Sequence, residues 1–163
     1  MGAVILGCYA VAEQQKKGVR RIFQQIWTGE NRKTLVCVDS YHSGVLDGRI
    51  YNPCHEVENF ESLTQFLIKM ENLLDEQQIP QAYNTMRTFS DVFPYWSSSA
   101  PAGTGCKGSK ATFEIKVLFR QHSSWQGTVT WREKQLEQSF RSVLELVILM
   151  DSALRAEEGF GTK

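Results

Sequence analysis

The chain has no pair of cysteines at C-x-x-C spacing; Cys8, Cys37, Cys54 and Cys106 are scattered along it. That excludes a zinc cage and a thioredoxin-like centre, and makes reduced thiols in a cytoplasmic protein the expectation. Cys54-His55 supplies too few ligands for a closed metal site, so neither a metal nor a cofactor is expected. Net charge is lacking too. Lys and Arg number 18 and Asp and Glu number 18, so no global field draws the protein to nucleic acid, an anionic membrane or an acidic substrate. No run approaches the roughly 20 apolar residues that cross a bilayer. Ile5-Leu6-Gly7-Cys8 has the look of a lipoprotein box, yet nothing basic precedes its short apolar run, so neither a secretory signal nor a lipid anchor is expected. The expectation is a soluble cytoplasmic protein with no membrane partner.

What is present is one supersecondary unit written twice. Phe60-Glu61-Ser62-Leu63 is echoed 80 positions later by Phe140-Arg141-Ser142-Val143, and Leu67, Met70, Glu71 and Leu74 by Val147, Met150, Asp151 and Leu154. His42-Ser43 matches His122-Ser123 at that offset, and Gly48-Arg49-Ile50 matches Gly127-Thr128-Val129 after one deletion. In the second copy Phe113, Ile115, Val117 and Phe119 alternate with Glu114, Lys116, Leu118 and Arg120, the period of a half-buried strand. Trp125 to Trp131 follows as its partner, with Trp125, Gly127, Val129 and Trp131 on one face. In the first copy Thr34–Val38 and Arg49–Tyr51 read as strands separated by a loop containing Gly44, Asp47 and Gly48. Each pair precedes a helical stripe: Phe60, Leu63, Leu67, Met70 and Leu74, then Leu136, Phe140, Val143, Val147, Met150 and Leu154. Leu144, Ile148 and Leu149 widen the second stripe.

The fold expected from this is α+β: a tandem strand-strand-helix repeat forming a four-stranded antiparallel sheet, with two helices on one face and an N-terminal helical segment. Residues 1–31 are that segment, its basic cluster of Lys16, Lys17, Arg20 and Arg21 read as a solvated face. Residues 32–156 form a single domain of two repeats, 34–76 and 112–156. Between them 80–110 is first aromatic, with Phe89, Phe93, Tyr95 and Trp96, and then rich in Ser, Gly and Pro.

Trp125-Gln126-Gly127-Thr128-Val129-Thr130-Trp131, with Phe140–Leu146 and Met150–Leu154, resembles the carboxy-terminal signature of an uncharacterised family of short proteins from anaerobic Gram-positive bacteria. Gly48-Arg49-Ile50-Tyr51-Asn52-Pro53 with Phe60–Leu74 resembles that family's first half. The resemblance covers about residues 34–155 and implies no activity and no catalytic residue.

His42 and His122, beside Ser43 and Ser123, have acid-base and nucleophile chemistry, but both lie where a repeat needs a turn. No nucleophile elbow, phosphate-cradling glycine loop or metal-binding helix accompanies them, and no enzyme is predicted. The leading expectation is a non-catalytic protein-interaction module, a homodimer or a binder of another protein, using Leu144, Ile148, Leu149 and Trp125. A first alternative is single-stranded nucleic acid bound on the open sheet face by Arg49, Tyr51, Lys116, Arg120 and Thr128. A second is a small ligand beside the aromatic loop.

Overall fold

Serine at 62 and at 142 decides where each helix begins. Ser62 Oγ accepts a hydrogen bond from the Gln65 N–H at 3.3 Å and Ser142 Oγ from the Glu145 N–H at 3.2 Å. The N3 side chains reach back in turn: Gln65 Oε1 accepts from Glu61 N–H at 3.0 Å and Glu145 Oε2 from Arg141 N–H at 2.7 Å. These reciprocal bonds satisfy donors that a helix start leaves without partners. Helix α1 is therefore Leu63–Gln77 and α2 is Val143–Glu157. Phe60, Leu136 and Phe140, which the spacing places on helical stripes, precede the caps and belong to strands.

The computed structural model describes residues 33–53, 55–89, 99–100, 106–157 and 159. The expected N-terminal helical segment and, within the connection, residues 90–98 and 101–105 lie outside them. The chain divides into units 1–31 and 32–163, and the second holds the strands β1 Lys33–His42, β2 Val45–Tyr51, β3 Val57–Phe60, β4 Ser99–Ala100, β5 Ala111–Gln121, β6 Ser124–Trp131 and β7 Leu136–Phe140. The expected four-stranded sheet is thus corrected. Six strands of four residues or more, extended at one edge by the two-residue β4, form an antiparallel sheet in the order β4-β3-β2-β1-β5-β6-β7. The unit that repeats is strand-strand-strand-helix. Its third strand is short, and the helix pattern hides it because steps of three and four residues run through the cap without a break.

The halves join through β1 and β5 within one chain. Leu35 lies opposite Glu114, 79 positions further on, so each faces its own counterpart and a pseudo-two-fold axis passes between them. Both halves also carry a β-bulge at the same place, between Val38 and Ser40 in β1 and between Val117 and Phe119 in β5. Each bulge inserts one residue and moves every later side chain to the opposite face. Tyr41 and Arg120 thereby turn toward the helices, whereas Phe119, expected in the core, is 56 % exposed. The loop expected between the first two strands is a tight turn: Ser43 and Gly44 both have positive φ, as do His122 and Ser123 in the second hairpin. Two positive φ values in a row match the twist of paired strands. In this alignment His122 corresponds to Ser43, which corrects the expected equivalence of His42 with His122.

One continuous core lies between the sheet and both helices. Val36, Ile50, Phe113, Ile115 and Val129 supply its floor; Phe66, Met70 and Leu74 from α1 and Leu146, Met150 and Leu154 from α2 supply its roof. The alternation along each strand is what directs one apolar face toward the helices.

Candidate interaction surfaces

The side chains that the bulges redirect build a buried polar seam between the helices. Arg120 donates through Nη2 to a Glu71 carboxylate oxygen and, at 2.6 Å, to Asp75 Oδ1; Trp125 Nε1 donates to the other Glu71 oxygen at 2.5 Å. Across the axis Tyr41, the counterpart of Arg120, donates its hydroxyl to Asp151, the counterpart of Glu71. Each β-hairpin is thus fastened to the other repeat's helix, the second through Arg120 and Trp125 and the first through Tyr41. The Tyr41 hydrogen bond, assisted by Arg155, holds the Asp151 carboxyl below the usual aspartate range. A carboxylate with a depressed folded pKa stabilises above its unfolded pKa, and that contribution is lost as pH falls through the folded value. Tyr41→Phe is therefore expected to cost about 1 kcal/mol near neutrality, after allowance for solvent screening, with the difference from wild type shrinking as pH falls below the ordinary aspartate range. Urea denaturation of both proteins across that pH range checks it; a difference that grows on acidification would refute the assignment.

Of the residues expected at an interface, the structure separates two pairs. Trp125 is buried and held by Glu71, and Leu149 packs half-buried against the core. Leu144 and Ile148 are 69 % and 57 % exposed on the outer face of α2. One turn and two turns further along the same row stand Ser152 and Ala156, both exposed. The row Leu144, Ile148, Ser152, Ala156 is a ridge of i, i+4 neighbours whose first half is large and second half small. Its flanks carry Glu145 on one side, paired with Arg141 just before the helix, and Arg155 on the other, paired with Asp151 within it.

The opposite sheet face holds most of the residues expected to contact nucleic acid, with its basic character largely neutralised. Arg49 makes a bidentate pair with Asp39, at 2.8 and 3.0 Å, and donates to the Lys107 carbonyl. Burial alone would raise the Asp39 carboxyl; Arg49 and the Ser109 N–H outweigh that and leave it lowered. Lys116 lies beside Thr128 in register, and Tyr51 beside Leu35. Lys33 pairs with Glu114 at 3.2 Å. Arg120 is on the other side of the sheet altogether, because the bulge at Leu118 reverses its facing. Cys37, on this open face, forms a disulfide with Cys106, their Cα atoms 6.1 Å apart, which corrects the expected reduced state for these two cysteines; Cys8 and Cys54 lie outside the described residues.

No family model, curated protein or solved structure matches the chain. Function therefore has to be argued from these surfaces. Among the described residues, no group of His, Cys, Asp and Glu is arranged to hold a metal, and no helix is long and apolar enough to cross a membrane. His42 and His122 are exposed at the hairpin turns. Of the aromatic loop expected to flank a ligand, Tyr83 and Phe89 are described and both are exposed, while Phe93, Tyr95 and Trp96 lie outside the described residues.

Sequence reasoning missed the crossing contacts and the small half of the α2 ridge. The first had a signal: Tyr41 and Arg120 stand 79 apart and Glu71 and Asp151 stand 80 apart, so the repeat pairs a hydrogen-bond donor with an acidic group twice. The second was readable as Leu-x-x-x-Ile-x-x-x-Ser-x-x-x-Ala. A search for hydrophobic stripes passes over it, because small residues add nothing to such a stripe.

Proposed function

We propose that this chain is a non-catalytic protein-interaction module that self-associates, with α2 packing antiparallel against α2 of a second copy. The ridge of Leu144, Ile148, Ser152 and Ala156 carries this reading. Turned about a two-fold axis midway between Ile148 and Ser152, it meets itself large against small: Leu144 opposes Ala156 and Ile148 opposes Ser152, each in both directions. The same rotation brings Glu145 and Arg155 to one level but on opposite sides of the contact, each still held by its own neighbour, so shape alone selects the register. A two-fold contact needs such a self-complementary patch, and small residues let the helix axes approach closely.

A single helix pair is near the lower size limit of specific interfaces, so the dimer should be weak, with a dissociation constant on the order of micromolar. Wild type is expected to show a mass that rises from monomer to dimer with concentration in sedimentation equilibrium. Ile148→Glu should stay monomeric throughout. Because Ile148 is exposed in the monomer, the variant should keep its fold and lose no more than about 0.5 kcal/mol of unfolding free energy. A wild type that remains monomeric at concentrations of hundreds of micromolar, taken as about 100-fold the expected constant, sinks the reading.

The nucleic-acid alternative gains no support from a face on which Arg49 is neutralised and from which Arg120 is missing. A cytoplasmic place of action would hold Cys37 and Cys106 as thiols, since that compartment keeps cysteines reduced.

A further inference from the structure

The two halves depart from each other between the helix and the outer strands. In the first half Lys69 of α1 is buried there, 2 % exposed, donating to the Asn59 carbonyl at 2.7 Å and pairing with Glu58 at 3.5 Å. Burial pushes the Glu58 carboxyl up despite that partner. In the second half Leu149 takes the position of Lys69, Gln138 that of Glu58 and Trp131 that of Asn52. The ion-paired plug is gone and a pocket of about 200 Å³, open to solvent past the exposed Leu136, Gln138 and Ser152, stands in its place. Phe113, Val129, Trp131, Leu136 and Leu149 make its wall, Gln138 and Ser152 give it two polar groups, and no charged side chain among the described residues lines it.

We propose that this pocket binds a small uncharged aromatic molecule, one ring or a fused pair, carrying a single polar group. The volume sets the size, since an apolar cavity of about 150 Å³ accepts benzene. The lining sets the class: an apolar pocket with one or two polar groups orients a neutral ligand and rejects an ion that would be desolvated without a partner. The Gln138 amide, which both donates and accepts, meets the ligand's polar group. The inference is independent of self-association, though Ser152 belongs both to the pocket and to the α2 ridge.

p-Cresol is the probe, with benzoate as the charged control, followed by NMR on wild type, on Ile148→Glu, and on Leu149→Lys/Gln138→Glu, which installs the first half's plug. The Trp131 indole N–H, buried without a partner among the described residues, and the Leu136 and Leu149 methyls report from the wall. p-Cresol is expected to shift them saturably in wild type and in Ile148→Glu alike, and benzoate to leave them in place. The double variant should bind at least about tenfold more weakly while its sheet amides keep their shifts. Should it not fold, Ala153→Val, which adds bulk to the same wall, carries the same expectation. No saturable shift with p-cresol, equal shifts with benzoate, or undiminished binding by a folded plugged variant overturns the proposal. So does binding to Ile148→Glu alone, which would make a side chain of the second copy the occupant.

Discussion

Arg120→Met is expected to cost about 3–5 kcal/mol of unfolding free energy, because it leaves the Glu71 carboxylate buried without its cation. Glu71 is 8 % exposed and Arg120 5 %, so water cannot replace the lost partner cheaply. Asp75 is the lesser member of the cluster, with a side chain 55 % exposed. The double variant Arg120→Met/Glu71→Gln should recover most of the loss: the amide carbonyl introduced at position 71 still accepts from Trp125 Nε1 while no charge remains there to be buried. Urea denaturation of the two single variants and the double completes a cycle whose coupling term is the measurement. An Arg120→Met variant within about 1 kcal/mol of wild type would mean that the seam is open to solvent.

Nothing in the local sequence marks Arg120 as an inward residue. It follows Phe113, Ile115, Val117 and Phe119 at the polar phase of a regular alternation, and any period-two reading sends it to the open face. The bulge between Val117 and Phe119 reverses that phase. The reason for tolerating the reversal lies 49 positions upstream, in Glu71. The repeat itself held the only hint, since the same irregularity occurs in β1 and turns Tyr41 toward Asp151.

Gly127→Ala is expected to destabilise by roughly 3 kcal/mol, at the upper end of what overpacking usually costs. Gly127 pairs with Val117 at the edge of the bulge, and a Cβ there would lie inside the surface of the Lys116 carbonyl oxygen. Gly48 pairs with Val38 at the other bulge, where a Cβ would meet the Cys37 carbonyl oxygen and then the Phe60 ring. The obstacle is backbone in the middle of a sheet, so no rotamer change relieves it. Gly48→Ala should therefore behave alike, and Gly44→Ala, whose position is open but whose φ is +82°, should cost less. Thermal and urea unfolding of the three variants give the ranking. A Gly127 variant as stable as the Gly44 one would show that β5 and β6 are not drawn together by the bulge.

Local pattern alone determined that the chain carries a repeat, that apolar faces alternate along Phe113–Val117 and Trp125–Trp131, and that amphipathic helices follow each hairpin. These are properties of residues a few positions apart, fixed by the geometry of strand and helix. The capping serines were legible as well, and weighing Ser62-x-x-Gln65 and Ser142-x-x-Glu145 against the stripes places each helix start correctly and exposes the strand before it. Tertiary structure decided the rest. The dyad between Leu35 and Glu114, the exchange of contacts between hairpins and opposite helices, and the pocket where Leu149 stands in place of Lys69 all depend on residues brought together from distant parts of the chain. Each depends on register, and one inserted residue in a strand changes register for everything after it.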